Sequence, residues 1–241
     1  MILTVIPARL KSVRLPNKPL ILIGDRPMLW WTWQKALQSK LSDRVVIATD
    51  SEKIYNTMQA FGAECQMTSE NCTSGSDRVF EVAQRIPQAK IIVNLQGDEP
   101  LMPLQTLDGT IQTLLDNPGC QIGTAITSFK KELDFLNPNQ VKAVFNMQNR
   151  ALYFSRAPLA NAWLHIGLYV FKKEALFKFC QMPPSSLELA EKLEQLRALE
   201  SNMPIYVYKE TSDQEHFGID TPEDLERAKQ IFSLAVSQNA S

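Results

Sequence analysis

The stretch Lys90-Ile91-Ile92-Val93-Asn94-Leu95, followed by Gln96-Gly97-Asp98-Glu99-Pro100, indicates the fold class. Ile91, Ile92 and Val93 form a continuous apolar run, which is typical of a β-strand buried on both faces. Such strands belong to mostly parallel sheets that are covered by helices. Asp98 follows this strand at the edge where open parallel sheets bind their ligands. The stretch therefore predicts an α/β protein with a candidate site beside Asp98.

Short β-rich segments alternate with helical patterns through the first 127 residues. Apolar residues at helical spacing follow Ser51, which is a typical N-cap residue, and end at Gly62. A second helix is predicted from Pro103 to Asn117, stopped by a Pro-Gly pair. The predicted strands of this doubly wound half are Leu3–Ile6, Arg44–Ala48, Ala63–Met67, Lys90–Leu95 and Ile122–Thr127.

The second half has a different pattern, which predicts a smaller antiparallel or mixed insertion. One long helix is predicted over Glu188–Glu200, with a leucine stripe on one face. Thr221 is predicted to cap the last helix, and a frayed tail is expected over residues 235–241. The predicted strands here are Val141–Asn146, Ala151–Ser155, His165–Phe171 and Ile205–Tyr208.

The composition of the 241-residue chain is that of an ordinary globular protein, with 44% hydrophobic and 21% charged residues. The formal net charge of -1 argues against a nucleic-acid or membrane-surface binder, which would carry a basic excess. No segment has the length and apolarity of a membrane span or the order of a secretory signal. The four cysteines form no C-x-x-C pair and favour a reducing compartment, so we expect a cytoplasmic location.

A cationic loop follows the first predicted strand. Arg9, Lys11, Arg14 and Lys18 place four positive charges in ten residues with no acid among them. Phosphate is the natural partner of such a cluster, because arginine binds it through two nitrogens and lysine through a point charge. A solvated basic loop is the alternative, but the prolines at 7, 16 and 19 stiffen the segment, which favours an anion site. The fingerprints G-x-G-x-x-G and G-x-x-x-x-G-K-[ST] are absent.

Two acids far apart in the sequence are candidate metal ligands. Mg²⁺ is usually held by one or two carboxylates together with substrate phosphates, and Asp98 lies at the right edge of the sheet for this role. If Thr221 caps the last helix, Asp220 is free to meet Asp98. Either acid could instead be an ordinary turn or helix cap, and the sequence spacing leaves that alternative open.

Other candidate residues carry weaker signals. Around Gly75, small hydroxyl residues could let the backbone approach a phosphate, but an ordinary loop with Ser76 or Asp77 as helix cap is the better interpretation of this segment alone. Arg156 ends a predicted strand and could bind a carboxylate. His165 lies within a strand, where a structural role is more frequent, and the pair Glu194-Gln195 faces away from the leucine stripe, which usually means solvent.

Taken together, these segments resemble the CMP-Kdo synthetases (3-deoxy-manno-octulosonate cytidylyltransferases). The resemblance extends over nearly the whole chain, and the combination of ordered motifs is more specific than any one of them. The segments that carry it are Pro7-Ala8-Arg9, Ser12-Val13-Arg14-Leu15-Pro16-Asn17-Lys18-Pro19-Leu20, Ala48-Thr49-Asp50, Thr73-Ser74-Gly75-Ser76-Asp77-Arg78, Asn94-Leu95-Gln96-Gly97-Asp98-Glu99-Pro100, Asn137-Pro138-Asn139, Ala151-Leu152-Tyr153-Phe154-Ser155-Arg156, His165-Ile166-Gly167-Leu168-Tyr169, Leu193-Glu194-Gln195-Leu196-Arg197 and Asp220-Thr221-Pro222-Glu223-Asp224-Leu225.

The resemblance implies a Rossmann-like nucleotide-diphospho-sugar transferase fold, with helices on both faces of a mixed, mostly parallel sheet and a smaller mixed-sheet insertion. It implies one domain over residues 1–234, with a nucleotide-binding half up to about residue 127 and a sugar-binding and dimerisation half after it. The implied reaction is CTP plus Kdo giving CMP-Kdo and pyrophosphate, for lipopolysaccharide synthesis. The implied partners are CTP, an acidic sugar and a second copy of the chain, without nucleic acid or membrane.

The resemblance also assigns roles to individual residues. Arg9, Arg14 and Lys18 would hold the triphosphate, Arg14, Lys18 and Asp98 would serve catalysis, and Asp98 and Asp220 would bind Mg²⁺. Ser74 and Arg78 would help to hold the nucleotide. The sugar-acid pocket would be formed by Gln96, Arg156, His165, Tyr169, Glu194 and Gln195.

One segment departs from the family pattern. Only eight uncharged residues separate Arg156 from His165, whereas the family usually has a longer segment that adds a cation to the sugar site. A cytidylyltransferase for a related acid sugar, such as 8-amino-Kdo or a sialic acid, is therefore an alternative. A catalytically weak protein that binds nucleotide sugars is a second alternative, against which the retention of both Asp98 and Asp220 argues.

Overall fold

The computed structural model describes residues 1–11, 14–130, 132–212 and 217–238. Within these ranges no helix is both long and apolar enough to cross a membrane. The strands are β1 (Ile2–Ala8), β2 (Leu22–Ile23), β3 (Arg26–Pro27), β4 (Arg44–Thr49), β5 (Cys65–Met67), β6 (Ile91–Leu95), β7 (Ile122–Thr127), β8 (Lys142–Phe145), β9 (Ala151–Ser155), β10 (Trp163–Lys172) and β11 (Ile205–Glu210). The helices are α1 (Met28–Leu37), α2 (Glu52–Ala60), α3 (Gly75–Gln84), α4 (Leu104–Asp116), α5 (Glu132–Leu136), α6 (Lys173–Gln181), α7 (Ser186–Glu191), α8 (Gln195–Glu200) and α9 (Pro222–Gln238).

Nine of the described strands form one mixed sheet. Its order is β11-β7-β10-β6-β1-β4-β5, and β8 and β9 extend it from β10. The pairs β1–β4, β1–β6, β4–β5 and β7–β11 are parallel, whereas β10 runs antiparallel to β6, β7 and β8. The predicted mostly parallel sheet with an antiparallel insertion is thus confirmed, and strands from both predicted halves share this sheet.

Helices cover both faces of the sheet, as predicted. Along β1, Leu3 and Val5 belong to one apolar cluster, which includes residues of α3, α6 and α8. Ile6 and Ala8 point the other way, into a second cluster with residues of α1, α2 and α4. This alternation follows from the two-residue period of a strand, and it buries both faces of the sheet.

The carboxyl ends of β1 and β6 position the candidate site. These two strands are parallel neighbours, so the segments that follow them, beginning at Arg9 and Gln96, leave the sheet at the same edge. The cationic loop and the acidic segment therefore meet there, as the sequence predicts.

The prediction of one helix over Glu188–Glu200 is wrong. Lys192 has a left-handed backbone conformation with φ of 57°, which ends α7 and separates it from α8. The break takes Leu189 out of the predicted leucine stripe, because its side chain is 67% exposed while Leu193 and Leu196 are buried. At the carboxyl end of the chain, α9 continues to Gln238 rather than fraying at residue 235, and residues 239–241 lie outside the described ranges.

Candidate active site

A cavity of about 410 Å³ lies at the edge of the sheet where β1 and β6 end. Segments that are far apart in the sequence contribute to its wall, and this wall contains most of the residues predicted for the nucleotide and the metal. Its charged and polar lining includes Arg9, Lys11, Arg14, Lys18, Ser74, Arg78, Gln96, Asp98 and Asp220. Ser12 and Val13 of the cationic loop lie outside the described residues.

Lys18 joins the two acids that are predicted to bind the metal. Its Nζ donates to Asp98 Oδ2 at 2.5 Å and to Asp220 Oδ1 at 2.8 Å. A guanidinium nitrogen of Arg14, Nη2, lies 3.1 Å from the same Asp220 oxygen. The predicted convergence of Asp98 and Asp220 is therefore confirmed, since one ammonium group bonds both carboxylates.

The backbone explains why these distant acids meet. The amide of Ile219 donates to the carbonyl of Asp98 at 3.0 Å, which ties the segment before α9 to the end of β6. Gly97 allows the close packing of β6 on its neighbours, because a Cβ there would lie 3.1 Å from both the Pro7 carbonyl oxygen and Leu29 Cδ1. The glycine before Asp98 is thus required by close approach to β1 and α1.

The cap of α9 leaves Asp220 available. Thr221 Oγ1 accepts from the amide of Asp224 at 3.2 Å, and Asp224 Oδ2 accepts from the amides of Thr221 and Asp220 at 2.9 and 3.1 Å. This reciprocal arrangement is a capping box. Thr221 is therefore the cap, as predicted, and the Asp220 side chain points to Lys18.

The charges of the site shift one another's pKa values. Burial raises the pKa of Asp98, and the nearby Lys18 only partly opposes that effect. Burial also acts to raise the pKa of Asp220, but the bonds from Lys18 and Arg14 outweigh it and lower that pKa. Burial acts to lower the pKa of Lys18, but the two carboxylates raise it overall. The ammonium group therefore stays protonated at neutral pH. For Asp98, the positive charge of Lys18 does not fully offset the effect of burial on the carboxylate.

The wall contributed by α3 differs in detail from the sequence prediction. Ser74, rather than Ser76 or Asp77, caps α3, because its Oγ accepts from the amide of Asp77 at 3.2 Å and Asp77 bonds the Ser74 amide in return. Arg78 is 3% exposed and donates to Asp50 Oδ2 at 3.0 Å and to Thr68. The charge of Arg78 is thus already paired with Asp50, a residue to which the sequence analysis gave no role although it lies in a recognised motif.

Three residues predicted for the sugar line a second, small cavity of about 10 Å³. These are Tyr169, Glu194 and Gln195, together with Ser76, whose hydroxyl donates to Glu194 Oε2 at 2.8 Å. Gln195 is only 5% exposed, and its Nε2 has no hydrogen-bond partner in the structure. The alternative that this glutamine faces solvent is therefore wrong, because the break at Lys192 turns α8 towards the core. A buried amide without a partner suits a site for a polar ligand.

His165 and Tyr169 lie side by side on β10, with ring centroids 5.5 Å apart. His165 Nε2 is 2.9 Å from Thr124 Oγ1, and burial lowers the pKa of this histidine to about 3. Burial also raises the pKa of Tyr169. Both rings are therefore neutral at physiological pH.

Arg156 does not line either of these two cavities. Its Nε donates to the Glu191 carbonyl at 3.1 Å and its Nη1 to the Pro138 carbonyl at 3.0 Å, while its amide donates to Glu191 Oε2 at 2.9 Å. Lys142, which sequence analysis missed, is fully buried and donates to the carbonyls of Asn137, Gln140 and Arg156 at 2.7, 2.8 and 3.0 Å. Lys142 and Glu191 thus fix the backbone around Arg156.

The large cavity offers few side chains that could bind a metal ion. Among the described residues, no cluster of three or more His, Cys, Asp and Glu side chains could bind a metal ion. The two converging carboxylates are nevertheless the kind and number of protein ligands that Mg²⁺ uses when phosphates and water complete its coordination.

Comparison with known proteins gives a consistent result. Residues 3–205 match a protein family described as cytidylyltransferase. The chain is 43% identical over 232 residues to 3-deoxy-manno-octulosonate cytidylyltransferase of Leptospira biflexa, covering 93% of this chain and 94% of the relative. It is 42% identical over 245 residues to the protein of the same name from Geobacter sulfurreducens, covering 94% of this chain and 97% of the relative.

Solved structures agree with this relationship. A structure of CMP:2-keto-3-deoxy-manno-octonic acid synthetase complexed with CTP superposes with a TM-score of 0.91 at 33% identity, covering 97% of this chain and 99% of that one. A glucose-1-phosphate thymidylyltransferase from Bacillus anthracis, described as putative in its own name, superposes with a TM-score of 0.70 at 12% identity, covering 96% of this chain and 95% of that one. This second likeness shows a common fold.

Proposed function

The chain belongs to the family of 3-deoxy-manno-octulosonate cytidylyltransferases, and we propose from this membership and from its site that it transfers CMP from CTP to Kdo, releasing pyrophosphate. The product, CMP-Kdo, would be the activated sugar for lipopolysaccharide synthesis. The observation that carries the proposal is the Lys18 bridge between Asp98 and Asp220 in a cavity lined by four cations of one loop.

The cationic loop fits the triphosphate. Arg9, Arg14 and Lys18 would bind its oxygens, and Lys11 lies on the same wall. Positive charge held in place before the reaction stabilises the negative charge that develops on a leaving pyrophosphate. Ser74 and Arg78 would form the neighbouring wall for the nucleotide, with Arg78 held in position by Asp50.

We propose that Asp98 and Asp220 hold Mg²⁺ together with the phosphates. Two carboxylates bonded to one ammonium group lie close enough to share a cation, and the raised pKa of Asp98 indicates a carboxylate that additional positive charge would stabilise. When bound, Mg²⁺ supplies positive charge that neutralises phosphate oxygens. Lys18 would also donate to a phosphate oxygen, because its ammonium group has three protons and the two carboxylates take only two of them.

The chemistry is an in-line displacement. The anomeric hydroxyl oxygen of the sugar forms a bond to the α-phosphorus, the bond from that phosphorus to the bridging oxygen breaks, and pyrophosphate leaves with the electron pair. The hydroxyl proton passes to water. In this step the protein holds both substrates and neutralises charge. The reaction needs no covalent intermediate with the protein.

The sugar would lie between the two cavities, near Gln96, His165, Tyr169, Glu194 and Gln195. The unpartnered Nε2 of Gln195 and the hydroxyl of Tyr169 supply polar contacts there. Arg156 would attract the sugar carboxylate, since the two guanidinium bonds described above go to neutral carbonyls and leave its charge uncompensated by them.

The test measures pyrophosphate release from CTP with Kdo and Mg²⁺, with EDTA and the three other ribonucleoside triphosphates as controls. We expect turnover only with CTP, with Kdo and with the divalent ion. CTP binding without turnover on any acid sugar would contradict the enzyme proposal and favour a nucleotide-sugar binding protein. Faster turnover with 8-amino-Kdo or a sialic acid in direct competition would assign a different sugar.

We further propose a cytoplasmic homodimer. All four cysteines are free, as expected in a reducing compartment. Leu152 on β9 and Leu189 on α7 are 58% and 67% exposed, and Tyr153 of β9 contacts Glu191 of α7, so these two elements are neighbours. These apolar side chains would be buried if a second copy of the chain packed against this region. Sedimentation of the wild type and of Leu152→Glu would test this, with a dimer and a monomer as the expected species.

A further inference from the structure

The pairing of β10 with β7 contains a bulge opposite Thr124. Ile166 pairs with Ala125, but the next pair along β7 joins Thr124 to Tyr169, so Gly167 and Leu168 are extra residues on β10. In an unbroken strand, side chains four residues apart are separated by about 13 Å. The ring centroids of His165 and Tyr169 are instead 5.5 Å apart. The bulge therefore brings together two residues of the proposed sugar site.

The hydroxyl of Thr124 lies at the centre of this bulge. Its Oγ1 is 2.8 Å from the Leu168 carbonyl oxygen, 3.4 Å from the Ile166 carbonyl oxygen and 2.9 Å from His165 Nε2. Thr124 is fully buried, so its hydroxyl bonds within the protein. Both carbonyls can only accept, and a hydroxyl has a single proton to give. The Thr124 proton therefore goes to the carbonyls of the bulge, and Oγ1 accepts from Nε2–H of His165.

This pattern determines which nitrogen of His165 can face a ligand. With the proton on Nε2, the neutral ring has a lone pair on Nδ1. Among the described residues, none forms a hydrogen bond with Nδ1. A lone pair accepts from a hydroxyl and repels a carboxylate oxygen. The ligand group at Nδ1 must therefore be a hydrogen-bond donor, and the donors that Kdo offers are its hydroxyls.

We propose that Thr124 is a positioning residue of the sugar site, which holds His165 as the Nε2–H tautomer so that Nδ1 accepts a hydrogen bond from a sugar hydroxyl. The proposal rests on the proposed function, because it assumes that the acid sugar binds beside Tyr169. It assigns His165 to the hydroxylated part of the sugar and leaves the carboxylate to cationic residues. Thr124 also donates to the Leu168 carbonyl of the bulge, and the bulge places His165 and Tyr169 within reach of one ligand.

Nitrogen NMR of the histidine rings tests the tautomer without any turnover. The chain has only two histidines, so His216→Gln leaves His165 as the single signal. We expect a proton on Nε2 and an unprotonated Nδ1 in this variant, and a mixture of tautomers when Thr124→Val is added. A proton on Nδ1 in the presence of Thr124 would overturn the proposal.

Kinetics test the positioning role. Thr124→Val is expected to raise the KM for Kdo about 10-fold, because it removes the buried hydrogen bond that orients the His165 ring. The KM for CTP should change less than about twofold, and Thr124→Ser, which keeps the hydroxyl, should restore the KM for Kdo. Thr110→Val is the matched control, because it removes an equally buried hydroxyl that bonds only a helix carbonyl within α4.

The two measurements separate the possible failures. Equal KM values for Kdo in the wild type and in Thr124→Val would contradict the positioning role, as would a loss in Thr124→Ser as large as that in the valine variant. If Thr124→Val does not fold, Thr124→Ser and the ring spectrum still decide the question. If the wild type releases no pyrophosphate with Kdo, the proposed function fails, while the tautomer measurement still supports or overturns the role of Thr124.

Discussion

The large and the small cavity hold their polar side chains in different ways. In the large cavity, charged side chains from separate segments bond to one another, as in the bridge from Lys18 to Asp98 and Asp220. Near the small cavity, polar side chains bond mainly to hydroxyls and backbone carbonyls, as in the pairs Ser76–Glu194 and Thr124–His165.

The large cavity is therefore held together by ion pairs, whereas the residues near the small cavity are held in position by hydrogen bonds to neutral groups. The ammonium group of Lys18 and the guanidinium groups of the loop can bond a charged ligand as they bond the carboxylates, so the large cavity is suited to charged ligands that enter and leave. Hydrogen bonds to hydroxyls and backbone carbonyls hold the side chains near the small cavity in place before a ligand binds. This order reduces the entropy that would be lost on binding the sugar. Changes in the first region should therefore affect turnover, and changes in the second should affect sugar affinity or stability.

The largest effect is expected from Asp98→Asn. It removes one of the two carboxylates at the large cavity, and losing one prearranged electrostatic group costs about 10²–10³-fold in turnover. Pyrophosphate release at saturating CTP and Kdo measures it. Asp25→Asn is the control, because Asp25 is 78% exposed and pairs only with its neighbour Arg26. A wild-type rate in Asp98→Asn would remove the acid from the mechanism.

Lys142→Met should lower the free energy of unfolding by about 2 kcal/mol, because it leaves three carbonyls without their charged donor. Urea unfolding gives the value. Lys172→Met serves as the comparison, since Lys172 bonds a single carbonyl, that of Pro118, at the surface. Equal unfolding midpoints for the two variants would show that the frame around Arg156 does not depend on the buried cation.

Glu191→Ala should raise the KM for Kdo about 10-fold and leave the KM for CTP within twofold, because the amide of Arg156 and the hydroxyl of Ser155 lose their acceptor. Steady-state kinetics with each substrate varied in turn measure the difference. Glu64→Ala provides the control: Glu64 also accepts from an arginine, Arg44, which begins β4 beside Leu3, at the edge of the sheet opposite the large cavity. A larger change in the KM for CTP than in that for Kdo would contradict the division between the two regions.

Stability is also expected to depend on pH. His165 has a folded pKa of about 3, whereas an unfolded histidine titrates near 6.5. Between these values the unfolded state binds the proton, so stability is lost as pH falls from 6.5 towards 3, by at most about 1.4 kcal/mol per pH unit. Asp220, whose pKa is lowered from 3.8, contributes its own loss only below that value.

His165→Gln should therefore reduce the change in the free energy of unfolding between pH 6.5 and 4.5, measured by urea unfolding. His216→Gln should reduce this change less. An unchanged slope in His165→Gln would show that the ring is charged or exposed in the folded protein.

Much of the fold could be predicted from the sequence because its strands are apolar runs bounded by clear turns. Ile122–Thr127 and Ala151–Ser155 were predicted with the bounds that the structure has. The break at Lys192 could not be predicted, because a lysine in a helical pattern gives no sign of a left-handed conformation.

The side-chain contacts at the large cavity could be predicted better than those near the small one. Strand ends at one edge of a parallel sheet converge, so the positions of Lys18 and Asp98 follow from topology. The bonds of Lys142, Glu191 and Thr124 go to backbone atoms or to residues distant in sequence, and these partners become visible only when the chain is folded. Ser74 was missed as a cap because Ser76 and Asp77 offered the same chemistry two and three residues later.

The hydrogen bond from the Ile219 amide to the Asp98 carbonyl affects when the site can form during synthesis of the chain. Its two partners lie in the first half and in the carboxyl-terminal part of the chain, so a nascent polypeptide on the ribosome has its cationic loop and Asp98 long before it has Asp220. The first half of the chain alone would carry only one of the two acids that we propose to bind Mg²⁺. On the proposed role of Asp220, we expect activity only after α9 has been synthesised and has docked, and we expect fragments that lack it to be inactive.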